Sequence, residues 1–270
     1  MNVQPLRTAA LTIFAITLTI SRADSRIWSI FPDHTGDAPT IQAGIDSAAT
    51  DDTVMVNAGT YPEHLDFKGK LITVFGASGP GNTILDGSGS GNVVTFQSGE
   101  TRESVLHGFT VQGGTRGILI NAAEPTVIGN IIIGNAEPFP GPNLASGAGI
   151  LCEGPSTRVW SPLIRENDIR ENLATANGGG IAIGDAMAPE VLYNTVFDNE
   201  AKQSGGGIYV FTQEDGAVLQ HNTIDSNLAL MQGGGIYVQG TGGAPLSIDI
   251  GFSVLIKNTA RGMGSSIGGG

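Results

Sequence analysis

The sequence predicts an all-β protein, a right-handed parallel β-helix. It is read as a three-sided solenoid with coils of about 28 residues and a short N-terminal capping helix. Three observations predict it. Glycine contributes 41 of 270 residues while only 14% are charged, a turn-rich composition foreign to helical bundles. A phrase of the form Asn, any, aliphatic, any, any, Asn recurs as NIIIGNAE at Asn130, NDIRENLA at Asn167, NTVFDNEA at Asn194 and NTIDSNLA at Asn222, with a degenerate copy at Ser253. Each copy is followed by a glycine cluster and an isoleucine: Ile150, Ile181, Ile208, Ile236 and Ile267 succeed one another at 31, 27, 28 and 31 residues. A fixed period in this range marks a stack of units, none of which buries its apolar face alone.

The elements follow in chain order. Met1 to Arg7 carries one positive charge, Thr8 to Ile20 is uncharged, and Ser21, Arg22, Ala23 fits a small-x-small cleavage site. Residues 1–23 are therefore expected to be a signal peptide, and the protein to be secreted or on the cell surface, extracellular or periplasmic. The apolar run is too short to cross a bilayer, and nothing later is apolar enough, so no membrane span is expected in the mature chain. Residues 24–53 form an N-terminal segment in which Ile41 and Ile45, four apart between Thr40 and Ala49, predict an amphipathic helix plugging the solenoid's open end. Residues 54–270 are assigned to the β-helix, with irregular early strands at Val54, Leu71, Asn92, Val105 and Gly117. The sequence stops at Gly270 inside a glycine cluster with no polar cap, as a truncated repeat array would.

Within one period, Ile208 to Gly235, three short β-type segments (IYVF, AVLQ, NTID) are separated by turns, and none is long enough for a helix. Three strands per turn make a three-sided coil, and crossover chirality makes it right-handed. Strand alternation then defines columns. Ile150, Ile181, Ile208 and Ile236 form one inward column; Cys152, Ile183, Val210 and Val238 a second; Ile132, Ile169, Val196, Ile224 and Leu255 a third. Cys152, the only cysteine, is read as a small apolar core residue, and no intramolecular disulfide is available. Asn135, Asn172, Asn199, Asn227 and Asn258 are expected to stack at one turn, bonding from coil to coil and tolerating left-handed backbone.

The stretches PTIQAGIDSA at Pro39, VMVNAGTYPEHLDF at Val54 and LITVFGASGPGNTILDG at Leu71 resemble the opening of pectin-lyase-like right-handed β-helix proteins, over about residues 28–270. The resemblance implies the fold and a polysaccharide as substrate class, with polysaccharide lyase or glycoside hydrolase chemistry if the chain is an enzyme. Gly59, Tyr61 and Glu63 match the GxYxE segment of pectin methylesterases, yet that family's later aspartate motifs are missing. The polygalacturonase set and the arginine motif of pectate lyases are missing too, and Arg165 and Arg170 are read as surface charges. No catalytic residue is assigned. The later coils are also similar to repeats of polymorphic outer-membrane adhesins, which implies a non-catalytic adhesive or structural alternative.

The net charge of −12 excludes nucleic acid and anionic membranes as partners, since both need a basic face. The expected partner is an extracellular polysaccharide. Tyr209, Phe211 and Tyr237 are predicted to face outward as a substrate-binding aromatic patch on which sugar rings stack; the alternative is cross-strand packing that only stabilises the sheet. Asp168, Arg170, Glu171, Asp198 and Asp225 project outward or sit at turns. A calcium-dependent lyase would require Asp168, Asp198 and Asp225 to cluster within metal range, and a solvated acidic face is the plainer reading. No cofactor is called for apart from that calcium. His34, His64, His107 and His221 show no metal spacing. One coil carries two insertions, EPFPGPN after Ala136 and GPSTRVW before Ser161, which are expected to wall a cleft beside the sheet.

Overall fold

The protein is described from a computed structural model covering residues 25–137, 147–211, 216–240 and 247–262. The expected signal peptide, all of the EPFPGPN insertion but Glu137 and the repeat at Ile267 lie outside the described residues. Strands of successive coils pair in parallel into sheets of eight, eight, seven and four strands. The first sheet runs from Ile27–Ile30 to Val218–Gln220, the second from Gly59–Tyr61 to Val254–Ile256, and the third from Leu65–Asp66 to Ile236–Gln239. The fourth was not anticipated. It consists of two-residue strands at Leu173–Ala174, Glu200–Ala201, Leu228–Ala229 and Thr259–Ala260, on the passage from the second sheet to the third.

The stack already begins at Ile27–Ile30, which pairs with Thr53–Val56, so the helix lies within the first coil rather than ahead of it. The helix spans Ile41–Ser47, and Thr40 caps it by accepting the Ala43 N–H at 3.0 Å. Glu63 accepts the Ile41 and Gln42 N–H groups at 3.1 and 3.0 Å, and Tyr61 donates its hydroxyl to Asn57 O at 2.9 Å. The GxYxE segment thus fastens the capping helix to the coils. Gly44 lets the helix sit close, because a Cβ there would lie 3.0 Å from Ile30 Cδ1 and 3.1 Å from Val54 Cγ1.

The inward columns lie where alternation places them. Ile150, Ile181 and Ile208 are in register and buried, as are Ile132, Ile169, Val196 and Ile224. Cys152 pairs with Ile120 and Ile183 and is fully buried, and burial pushes its thiol pKa well up. Two asparagine ladders run along the corners on either side of the second sheet. Asn130, Asn167, Asn194 and Asn222 form one, and Asn135, Asn172, Asn199, Asn227 and Asn258 the other. In each rung the side-chain oxygen accepts both the backbone N–H and the amide of the asparagine one coil earlier, as Asn199 does from Asn172 at 3.1 and 3.0 Å. The left-handed residue is not the asparagine, as expected, but the one before it: Glu166, Tyr193, His221 and Phe252 at one corner, Glu171, Asp198, Ser226 and Lys257 at the other. The asparagine turns inward to bond, and its neighbour absorbs the bend.

Candidate functional site

The predicted aromatic patch is not an open platform. Tyr209 does lie on the outer side of the third sheet, in one column with Leu119, Leu151, Ala182 and Tyr237, yet it is only 2% exposed. The glycine turn before each of the last four third-sheet strands folds back over this column. A Cβ at Gly178, Gly205 or Gly233 would stand 2.7, 2.7 or 2.6 Å from the Cβ of Ala182, Tyr209 or Tyr237. The two tyrosine rings lie nearly parallel, 5.9 Å apart, and the Tyr209 hydroxyl donates to Gln239 Oε1 at 3.0 Å. Burial, with Tyr237 beside it, pushes the Tyr209 pKa up to about 12. Phe211 and Tyr237 pack half-buried against the same cluster. Tyr209 and Tyr237 pack across the strands, while Phe211 and Tyr237 keep part of their surface exposed.

The inserted coil flanks that same covered face. Its third-sheet strand is Ile150–Glu153, and the second insertion follows directly at Gly154. The second is pinned toward the first sheet: Ser161 N–H and Arg158 both reach Glu124, Arg158 lies over the Trp160 ring at 3.7 Å, and Arg102 holds Ser161 O and Glu190. At the start of the other insertion, Arg116 pairs with Glu137 at 3.1 Å, and Thr175 donates to the second Glu137 oxygen. Burial lowers the Arg116 pKa and the Glu137 carboxylate opposes that shift. The second insertion and Glu137, the one described residue of the first, are thus held by ion pairs.

The exposed polar and aromatic chemistry lies on the second sheet. Two outward columns run along it: Ile131, Asp168, Thr195, Thr223 and Val254; and Ile133, Arg170, Phe197, Asp225 and Ile256. The left-handed corners form its rims. On the rim toward the first sheet, Tyr193, His221 and Phe252 stack in sequence, with centroids 4.6 and 5.0 Å apart and planes 3° and 6° apart. Tyr193 is 52% and Phe252 81% exposed. Sequence reading missed this ladder because it began the repeat phrase at the asparagine; the signal is the residue just before it. The other rim carries Glu171, Asp198 and Lys257.

Within this strip Arg170 lies 5.6 Å from the Phe197 ring centre, 3.4 Å from Asp168 and 3.5 Å from Glu171. Burial raises the Asp168 pKa, opposed by Arg170 and assisted by Glu171. Asp168, Asp198 and Asp225 do not share a column. They occupy the first outward column, a corner and the second outward column, on three successive coils. With about 4.8 Å between coils and about 3.3 Å between residues, Asp198 and Asp225 each stand roughly 11 to 12 Å from Asp168. Asp198 and Asp225, one coil and one residue apart, stand roughly 6 Å from each other by the same spacings, so Asp168 alone is set apart from the other two. Among the described residues no three His, Cys, Asp or Glu side chains gather as metal ligands, and no helix is long and apolar enough to cross a membrane. His107 stacks on Phe75, His221 belongs to the ladder, and His34 and His64 contact backbone oxygens.

Comparison with known proteins agrees with this geometry. No curated protein matches the chain. A family model described as the right-handed β-helix region matches residues 76–262, most of the chain, and the parallel register of the stacked coils is what that family requires. The chain therefore belongs to the right-handed β-helix family.

Proposed function

We propose that this protein is exported and binds an extended polysaccharide along the outer strip of its second sheet, holding the chain rather than cleaving it. One observation carries the reading: the strip is two side chains wide and five coils long, with polar side chains and Phe197 on its three middle coils and aliphatic side chains on the coil at either end. Five coils at about 4.8 Å give a track some 20 Å long and about 7 Å between columns. Its area is a small fraction of the roughly 800 Å² per partner that a stable protein interface buries. A single sugar chain has the matching width, and one sugar residue is about as long as one coil is thick. Carboxylates, threonine hydroxyls and the Arg170 guanidinium offer hydrogen bonds to sugar hydroxyls, and Phe197 with the Tyr193 to Phe252 rim offers apolar contact. The missing pectinase motifs of the sequence support holding over cleavage. The leader-like residues 1–23 support export.

The test is calorimetry of the full chain against a panel of soluble neutral and charged glycans, with and without calcium. Binding is expected without turnover. Phe197→Ala and Tyr193→Ala should each weaken it several-fold, while Tyr237→Ala, on the covered face, should leave it unchanged. Loss of binding through Tyr237→Ala alone, release of products, or no binding to any glycan would overturn the reading.

A further inference from the structure

The strip also has a charge pattern that bears on which glycan it takes, an inference that rests on the binding reading above. On the strip and its rims the register brings together Glu166, Asp168, Glu171, Asp198 and Asp225, against Arg170 and Lys257. Arg170 is already engaged by Asp168 and Glu171 on its own coil, and Glu166 is engaged by Arg165 from the neighbouring sheet. Asp198 and Asp225 make no ion pair among the described residues. Asp198 is exposed, and Asp225 accepts only the Ser226 hydroxyl, at 2.9 Å. On the outer side of the first sheet the carboxylate and guanidinium in the strands, Glu190 and Arg165, are each paired, to Arg102 and Glu166.

We propose that the strip selects sugar chains bearing hydrogen-bond donors and no anionic groups, and that amino-sugar chains bind it most tightly, ahead of neutral chains and far ahead of polyuronates. Ionised carboxylates only accept hydrogen bonds, so Asp198 and Asp225 are completed by hydroxyl or ammonium donors and by nothing a uronate carboxylate offers. The geometry sharpens the discrimination. A polyuronate lying in register with the coils sets one negative charge per sugar within a Debye length, about 8 Å at physiological salt, of these side chains. An amino-sugar chain sets a cation there instead, at the distances where charge-assisted hydrogen bonds form.

The experiment titrates the full chain with three probes of equal length: partly deacetylated chitin oligosaccharides, cello-oligosaccharides and oligogalacturonates. EDTA is present throughout, and each titration is run at about 20 mM and about 500 mM NaCl, where screening differs most. At low salt the deacetylated chitin probe should bind at least ~10-fold more tightly than the oligogalacturonate, and that ratio should collapse at high salt. Asp198→Asn with Asp225→Asn should cut the preference for the amino-sugar probe over the oligogalacturonate ~5-fold or more and remove most of its salt dependence. Oligogalacturonate binding as tightly as the amino-sugar probe, or a preference untouched by the double variant, overturns the selectivity but leaves the strip as a glycan site. Failure of all three probes overturns the binding reading itself, and this inference falls with it.

Discussion

Asn199→Ala tests the ladder that holds the corners. Asn199 is 1% exposed and stands in five side-chain hydrogen bonds. Its oxygen accepts from Asn172 N and Nδ2, and its amide donates to Ile169 O, Phe197 O and Asn227 Oδ1 at 2.8, 3.1 and 3.0 Å. Truncation leaves the buried Asn172 N–H without the acceptor it has among the described residues and strips Ile169 O of its amide donor. A buried polar group left unmade costs about 1 to 3 kcal/mol, so with one backbone donor orphaned and several acceptors weakened the expected loss is about 2 to 4 kcal/mol. Asn199→Ser should cost roughly half as much, because a hydroxyl both accepts and donates. The protein contains such a rung: Ser253 Oγ accepts Asn222 N–H at 3.2 Å and donates to Leu219 O at 3.0 Å. Urea unfolding followed by far-UV circular dichroism, compared at unchanged slope, measures both variants. An alanine variant within about 0.5 kcal/mol of the parent, or no gap between alanine and serine, would refute the ladder as the source of corner stability.

Two further outcomes follow from buried groups. Cys152→Val should shift stability by less than about 1.5 kcal/mol, because its column is otherwise aliphatic, and a thiol reagent should label Cys152 only on unfolding; rapid native labelling contradicts the burial. Burial pushes the Asp52 pKa up, but N–H donors from Arg26, Ala49 and the Trp28 ring outweigh it and leave the pKa lowered. The stability Asp52 contributes is therefore complete above its unfolded value of about 3.9 and is lost as pH falls through its lowered native value. Asp52→Asn should be less stable than the parent at neutral pH, with the gap closing in acid; a gap that widens in acid reverses the assignment.

The fold was legible where inward packing repeats. Ile181 and Ile208 must meet in one slot of every coil, so their spacing survives in the letters as a near-constant period. In the first half the coils vary: along the first sheet, from Ile27–Thr53 to Leu163–Glu190, partners stand 26, 20, 32, 21, 37 and 27 residues apart, and no phrase repeats. The fourth sheet escaped because a two-residue strand has no alternation to detect. The outward side was less legible. Alternation correctly put Tyr209 outside the sheet, but outside the sheet is not solvent when the preceding turn folds over it, and only the glycine four residues earlier records that. The aspartates were grouped by proximity in the phrase, whereas register separates Asp168 from Asp225 by two residues along the strand and two coils along the axis.

The Tyr193 rim separates a role in binding from a role in folding. Tyr193, His221 and Phe252 have φ of 57°, 57° and 53°, in the left-handed region where a side chain costs roughly 1 to 2 kcal/mol per residue and where the corner one coil before Glu166 carries Gly129. Bulky rings persist at a position that glycine fills without strain, and each ring regains about 0.5 to 1.5 kcal/mol by stacking on the next. Relief of strain and loss of one stacking contact therefore nearly cancel in Tyr193→Gly, whose unfolding free energy should stay within about 1 kcal/mol of the parent. Glycan affinity should nevertheless fall, since the variant removes a side chain that is half exposed on the rim. A destabilisation beyond about 2 kcal/mol would make the ladder a structural brace, because stacking alone does not reach that value. Unchanged stability with weakened binding is the result that a surface built to hold a ligand requires.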